Sequence, residues 1–458
     1  MLSPKASAVL HPLILRAADI RGVVGNTVTP QTAEIIGKAF GTYLRRNGKT
    51  NVCVGFDGRE SSPALAEALV NGLLSCGMLV LKVGCCPTPL LYFALQASGI
   101  ANGVMVTGSH NPKEYNGFKL VTGNAPFFGE QIQELGRIAR TGRFEKSVGC
   151  LEEEDFSELY IHRLLKDFRH GMDLRVVWDC GNGATGKIVS DILPSLPGRH
   201  ILINGDIDGS FPCHHPDPSR PANMKQLQDV VLLENADLGL AFDGDGDRLG
   251  AVDATGRILE GDQLLQIFAE DLLRLNPAAT VIADVKAGKT FCDEIRRMGG
   301  NPLIWKTGHS FIKQKMKETK ARLGGEMSGH FFFADKYYGY DDALYAGLRL
   351  LEIASNSYAE TLAQRVNRIP PSFRTPEIEM ACGDDKKFRR IETIRKKLAA
   401  AKIAFDDTDG IKVVKEDGWW LLRASNTQPM LVARCEGDTP ESLNKIKKEM
   451  DSYLSLIK

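Results

Sequence analysis

Short apolar runs alternate along this chain with stretches whose apolar positions recur every three to four residues, the pattern of strands interleaved with amphipathic helices. Asn51–Phe56 predicts a strand, followed by a loop over Asp57–Ser62, a helix opened by Pro63 that runs to about Cys76, and a buried strand over Met78–Val83. The same order of strand, aspartate-bearing turn and helix returns twice. Arg175–Trp178 leads into Asp179 and a glycine-rich turn, and Thr280–Ala283 leads into Asp284, Val285, Lys286 and a helix ending near Gly299-Gly300. Three copies of one unit predict three related α/β domains. Breaks between domains are expected near Glu152–Asp155, near Asp253–Gly256 and at Ile369-Pro370-Pro371, where neither proline can donate a backbone hydrogen bond. Beyond that point the pattern changes. Ile411–Glu416 and Trp419–Arg423 read as strands paired around Asp417-Gly418, then come Met430–Cys435 and a closing helix from Pro440, a smaller α+β domain. The expected division is 1–153, 154–256, 257–369 and 370–458.

At 458 residues the chain is too long for one core, in keeping with several domains. Lys+Arg and Asp+Glu both number 57, so no global field recruits nucleic acid or an acidic membrane, and anion binding must come from local clusters. The ten cysteines show no CxxC spacing, which points to the reduced thiols of a cytosolic protein and away from a disulfide framework or zinc site. The apolar run from Ala8 to Leu15 is broken by His11-Pro12 and lacks the form of a signal peptide, and no run approaches the roughly 20 apolar residues that span a bilayer. A cytoplasmic location is expected.

Four stretches change this picture, because each carries chemistry. In Thr107-Gly108-Ser109-His110-Asn111-Pro112 a hydroxyl follows a buried strand, Gly103–Val106, and a glycine that frees the backbone to turn, so Ser109 is offered at a strand end among N–H groups that can hold an anion. It is also good turn chemistry. A serine-hydrolase elbow is excluded, since Asn111 stands where its last glycine belongs. Asp243, Asp245 and Asp247 alternate with glycines after the apolar run Leu238–Phe242, and carboxylates at that spacing can fold around one hard cation. An EF-hand loop is excluded because Arg248 and Ala254 replace its required glycine and glutamate. Three oxygens leave room for waters and a phosphate oxygen, which suits Mg²⁺.

Glu326, Ser328 and His330 lie in a glycine-bracketed loop ahead of Phe331-Phe332-Phe333, where the first two can bind vicinal sugar hydroxyls and the third titrates near neutrality. Arg423, Ser425, Asn426 and Thr427 place a guanidinium, two hydroxyls and an amide on one turn, a natural phosphate cradle. A solvated turn and a polar hairpin loop are the plain alternatives for these two. A fifth stretch, Gly181-Asn182-Gly183-Ala184-Thr185-Gly186, matches the dinucleotide fingerprint, with Asp206 placed as a ribose-binding acid. That reading leaves the serine and aspartate loops without a purpose.

These motifs, together with Asp19-Ile20-Arg21-Gly22, Asn116-Gly117-Phe118-Lys119, His214-His215-Pro216-Asp217-Pro218 and Lys306-Thr307-Gly308-His309, make the whole chain resemble the α-D-phosphohexomutase family, in particular its bacterial members that act on both mannose and glucose phosphates. The resemblance implies four domains around a central cleft, three related α/β units with mixed sheets and a smaller α+β C-terminal one. It implies a phosphorylated Ser109 whose phosphate completes a magnesium site of Asp243, Asp245 and Asp247, with Arg21, Lys119 and Arg248 polarising the phosphoryl group. His309 and His330 would assist proton transfer, Glu326, Met327, Ser328 and Gly329 would hold the sugar with Lys286, and Arg423, Ala424, Ser425, Asn426 and Thr427 would grip the phosphate that is not reacting. The implied reaction moves phosphoryl between C1 and C6 of a hexose phosphate through a 1,6-bisphosphate. Glucose 1,6-bisphosphate would act as activator, small hexose phosphates would be the only partners, and the chain would work as a monomer. A phosphoglucosamine mutase is the alternative within the family. Ala18, where relatives usually carry tyrosine, and Ala287-Gly288 after Lys286 depart from the family pattern.

Overall fold

A computed structural model of the chain describes residues 10–425 and 430–457. These residues fall into two compact units. The first runs to Leu259 and adds Gly329–Phe331 and Tyr340–Leu362; the second holds Glu260–Ser328, Phe332–Gly339 and the chain from Ala363 onward.

The first unit contains two sheets. One has the order Ile20–Val23, Tyr115–Thr122, Gly103–Val106, Asn51–Phe56, Leu79–Cys85, Cys150–Glu153, with Ala125–Phe127 added on Tyr115–Thr122. It is mixed. Asn51–Phe56 runs parallel to both neighbours, whereas Tyr115–Thr122 is antiparallel to Gly103–Val106. The helix Pro30–Arg46 starts where Thr29 accepts a hydrogen bond from Thr32 N and Pro30 presets the first turn. Its buried face, with Phe40 and Leu44, joins Leu69, Phe118 and Leu135 in one core. A Cβ on Gly37 would lie 2.2 Å from Leu69 O, so this helix and Ser62–Leu74 approach only because both carry glycine at the crossing.

The second sheet has the order Ile258–Leu259, Leu249–Asp253, Leu238–Phe242, Arg175–Asp179, Arg199–Ile203, again parallel at its centre and antiparallel at Leu249–Asp253. The helix Ala343–Ser355 packs on its strands, although the sequence pattern places that helix in the third domain. Asp342 caps it, accepting from Tyr345 N at 2.9 Å.

In the second unit, Asn301–Trp305, Thr280–Asp284 and Leu323–Gly325 form a third sheet, whose last strand, Phe331–Phe333, has Phe332 and Phe333 in this unit; Thr280–Asp284 is parallel to its neighbours on either side. A fourth is antiparallel throughout: Phe373–Arg374, Met430–Gly437, Gly418–Ala424, Ile411–Lys415, with Ile378–Ala381 also on Met430–Gly437. The expected hairpin forms, pairing Lys415 with Gly418. Gly418 is at φ 154, and a Cβ there would meet Glu436 O at 2.2 Å. Trp420, Leu422 and Ala433 pack under the helices Asp384–Ala400 and Pro440–Leu454 through Ile394, Leu398, Ile446 and Met450.

The repeat read from the sequence has a structural counterpart. In each of the first three sheets one strand has a parallel neighbour on both sides, and an aspartate, Asp57, Asp179 or Asp284, sits at its C-terminal end, buried. Each of the three accepts hydrogen bonds from a neighbouring loop. Helices flank mixed sheets three times, and a smaller C-terminal α+β element follows, which is the expected fold class.

Candidate active site

Ser109 sits on the loop that leaves Gly103–Val106, with φ 48, a left-handed conformation that costs a serine of order 1–2 kcal/mol. The surrounding bonds hold it there. Ser109 N donates to Thr107 Oγ1 at 2.7 Å, Thr107 Oγ1 donates to Asp57 Oδ2 at 2.7 Å, and Gly108 N donates to the same oxygen at 3.1 Å. Arg21 Nη1 donates to Gly108 O at 2.6 Å and to Asn111 Oδ1 at 2.8 Å, while its Nη2 meets Asp19 at 2.5 Å. Ser109 Oγ donates to Asp243 Oδ2 at 2.8 Å and lies 3.1 Å from His110 Nδ1. Burial, then the nearby Arg248 and Arg21, hold the His110 imidazole well below its usual pKa, so it is neutral.

Asp243, Asp245 and Asp247 follow Leu238–Phe242, and none is exposed to solvent. Asp243 Oδ1 accepts the backbone N–H groups of Asp247 at 3.0 Å and Arg248 at 3.1 Å, which folds the loop back on itself. Lys119, from Tyr115–Thr122, donates to Asp245 Oδ2 at 2.6 Å and also to Asp247 Oδ2. Thr88 Oγ1 donates to Asp245 as well. Burial and the two neighbouring carboxylates push Asp243 well up. Asp245 goes down instead, because Lys119 outweighs the burial. For the same reason Lys119 is held well above the usual lysine range although burial opposes it.

One oxygen from each of the three carboxylates can be chosen so that all lie within 4.8 Å of one another. Asp245 Oδ1 and Asp247 Oδ1 are buried without a hydrogen-bond partner among the described residues. Oxygens left bare in a dry site are what a hard divalent cation requires, so these residues fit one.

Arg248 Nε donates to His330 Nε2 at 3.1 Å. His330 therefore presents Nε2 as acceptor and turns Nδ1 towards Asp341 Oδ2 at 3.2 Å and Asp247 Oδ1 at 3.6 Å. Asp247, His330 and Asp341 also have metal-like spacing, but ligation through Nδ1 would place a proton on Nε2 facing the Arg248 donor. Arg21, Ser109, Lys119, the aspartate trio, Arg248, Gly329 and His330 thus all belong to the first unit.

The second unit gathers the other expected residues. Lys286 Nζ donates to Glu377 Oε1 at 3.0 Å and lies 3.7 Å from Asp284 Oδ2. Burial opposes its charge, but Glu377 and Asp284 raise its pKa, and Lys286 in turn lowers that of Glu377. Gly308 N donates to Glu326 Oε1, and Met327 N donates to Asp284 Oδ1 at 3.3 Å. Asp409 Oδ2 accepts from Arg423 Nε at 2.9 Å and from Thr307 N at 3.0 Å, joining two loops distant in sequence. His309 opens the helix His309–Thr319 next to that point. Lys387 Nζ donates to Ser425 O at 2.7 Å, and Ala424 ends its strand beside Ser425. Ser328 closes the second unit's part of its loop, half-buried, and Asn426 and Thr427 lie outside the described residues.

Sequence reasoning missed several residues that build these sites. Asp57, Arg59, Thr88, Asp341 and Asp409 stand alone, without a motif, and act across large separations in sequence. The three recurring strand-end aspartates were the one signal available. The dinucleotide-like glycines have a packing role instead. A Cβ on Gly186 would lie 1.8 Å from Gly205 O, and one on Gly183 would lie 2.9 Å from Gly244 O in the aspartate loop. Ala18 and Ala287 are both buried.

Four family models match consecutive parts of the chain: the phosphoglucomutase/phosphomannomutase α/β/α domains I, II and III over residues 12–146, 158–256 and 260–373, and the family's C-terminal domain over 377–452. The chain belongs to the phosphoglucomutase/phosphomannomutase family, the α-D-phosphohexomutases. It is 43% identical over 456 residues to the phosphomannomutase/phosphoglucomutase of Pseudomonas aeruginosa, covering 100% of this chain and 98% of that one. It is 40% identical over 449 residues to a phosphoglucomutase of Neisseria meningitidis, covering 96% of each. The crystal structure of a phosphoglucomutase/phosphomannomutase family protein from Burkholderia thailandensis superposes with a TM-score of 0.91 at 40% identity, over 98% of both chains.

Proposed function

We propose that this enzyme interconverts the 1- and 6-phosphates of mannose and of glucose, with Ser109 as the phosphoryl carrier. The observation that carries the reading is the 2.8 Å hydrogen bond from Ser109 Oγ to Asp243 Oδ2, which sets a hydroxyl against three buried carboxylates. In the first half-reaction the free hydroxyl oxygen of a hexose monophosphate attacks the phosphorus of phosphoserine. A new O–P bond forms as the P–Oγ bond breaks, and the hydroxyl proton passes to a histidine: His309, or His330 once Arg248 has moved from its Nε2 to the phosphoryl group. The bisphosphate turns over, and Ser109 Oγ takes the other phosphoryl group while the sugar oxygen it leaves regains a proton.

Asp243, Asp245 and Asp247 would hold a divalent ion, here assigned as Mg²⁺, which when bound neutralises charge on the phosphoryl oxygens. Lys119, Arg21 and Arg248 add fixed positive charge at the same place. Glu326, Met327, Ser328 and Gly329 would bind the sugar at O3 and O4, leaving O2 free, so both epimers fit. Lys286 and the stretch from Arg423 to Thr427 would grip the phosphate at rest. Glucose 1,6-bisphosphate would load Ser109 as activator. The same reading has the domains meet at 153/154, 256/257 and 369/370, and a cytoplasmic monomer as the working form.

Coupled kinetics with mannose 1-phosphate, glucose 1-phosphate and glucosamine 1-phosphate, alongside intact mass, test the proposal. Comparable turnover of the first two sugars, with one phosphate lost in Ser109→Ala, is expected. Preference for the glucosamine ester would replace this substrate assignment, and turnover unaffected by Ser109→Ala would remove the carrier.

A further inference from the structure

Beneath the Ser109 loop lies a guanidinium that no step above uses. Arg59 is 2% exposed and follows Asp57 by two residues. Its Nη2 donates to Ser109 O at 2.7 Å and to Asn111 O at 2.6 Å, and its Nη1 donates to Pro112 O at 2.8 Å and Tyr115 O at 3.1 Å. Asp57 Oδ2 faces Nε at 3.3 Å, and the Phe211 ring lies over the guanidinium carbon at 5.2 Å. A Cβ on Gly108 would fall 2.3 Å from Arg59 Cζ, so the loop is pressed directly onto this group.

We infer that Arg59 is a positioning residue for phosphoryl transfer: by drawing four loop carbonyls onto one rigid fork, it keeps Ser109 in its left-handed conformation with the hydroxyl turned to Asp243. Ser109 would leave φ 48 if its neighbours allowed it, and a planar group with fixed donor directions constrains four acceptors in a way that a lysine point charge cannot. The same bonds aim the negative ends of those carbonyl dipoles at Arg59 and away from the hydroxyl, where an anionic phosphoryl group has to sit. Phe211, from the loop that precedes His214, caps the outer face of the fork. Arg59 spends Nη1 and Nη2 on loop carbonyls and touches neither sugar nor phosphoryl group. Its effect belongs to the transfer step and leaves binding of the sugar alone.

The inference rests on the proposed mutase reading, and wild-type turnover is the control that separates the two. Without wild-type turnover the mutase reading itself fails. With it, Arg59→Lys, which retains the charge and loses the fork, is expected to lower kcat about 100-fold, the scale of a misplacement near 1 Å. KM for mannose 1-phosphate should stay within about twofold, and transfer of phosphate from glucose 1,6-bisphosphate to Ser109, followed by intact mass, should slow in step with kcat. Phe211→Leu, at a half-buried surface position, gives a second reading if the lysine variant does not fold: kcat down by about threefold to tenfold, KM unchanged, melting temperature retained. Wild-type kcat in Arg59→Lys, or in Phe211→Leu where that is the variant read, overturns the inference. So does a rise in KM that accounts for the whole loss.

Discussion

Lys119 Nζ donates to Asp245 Oδ2 at 2.6 Å and also to Asp247, so one ammonium from the first sheet lies across two carboxylates carried by the second. All three groups are buried, and a buried charge is tolerated only while it is paired. Lys119→Met removes the ammonium that bridges that pair. In chelator the variant should be less stable than wild type by about 3–5 kcal/mol, the usual penalty for orphaning a buried charge. Mg²⁺ should restore more of the melting temperature in the variant than in wild type, because the ion then supplies the missing compensation. Equal Mg²⁺ shifts in the two proteins would mean that the ion is held elsewhere.

The His214–Asp179 pair sets a pH dependence of stability. His214 Nε2 lies 2.9 Å from the buried Asp179 Oδ2, and although burial opposes it, that carboxylate raises the histidine pKa above its ordinary value. A raised histidine stabilises the fold fully below its unfolded pKa of about 6.5, and the contribution fades as pH climbs through the folded value. Urea melts of wild type and His214→Gln should therefore differ most near pH 6 and converge towards pH 8. A gap that widens with pH would reverse the assignment.

Gly108→Ala tests the floor of the serine loop. The added methyl would stand 2.3 Å from both Cζ and Nε of Arg59, whose position four carbonyl acceptors fix. Overpacking of this kind costs about 1–3 kcal/mol, and mutase turnover should fall along with phosphate occupancy of Ser109 by mass. An active alanine variant would show that the loop can shift without harm.

In the second unit, Asp409 carries both Arg423 and Thr307 N on one oxygen. Asp409→Ala frees the guanidinium from its charge-assisted bond, worth about 1.5–3 kcal/mol. If Arg423 grips the resting phosphate, KM for hexose phosphate should rise roughly tenfold or more while kcat changes less. Steady-state kinetics decide it; a fall in kcat alone would place Arg423 in the transfer step.

Much of this was readable from the chain itself. The serine and aspartate loops are contiguous motifs at the ends of apolar strands, so periodicity and composition locate them together. Arg59 could not be read this way. It is an ordinary residue in a loop, and its meaning comes from acceptors around Ser109 that the fold alone delivers. Asp341 is hidden for the same reason, being useful only once His330 has turned Nδ1 towards it. The helix Ala343–Ser355 shows another limit. It is apolar and buried on nearly every face, so no polar stripe marks which sheet it covers, and it packs on the second sheet although it follows the third in sequence. The dinucleotide-like glycines err in the opposite direction: their spacing is real, and close backbone packing accounts for it.

The strand-end aspartates carry one more lesson. Asp57 fastens Gly108 of the serine loop, Asp179 fastens Asn204 and His214, and Asp284 fastens Met327 of the Glu326–His330 loop. A module with this peg in place can carry different chemistry wherever its downstream segment differs, since the attachment point is the same. Transplanting one loop onto the peg of a sister module is therefore a rational engineering route in this scaffold.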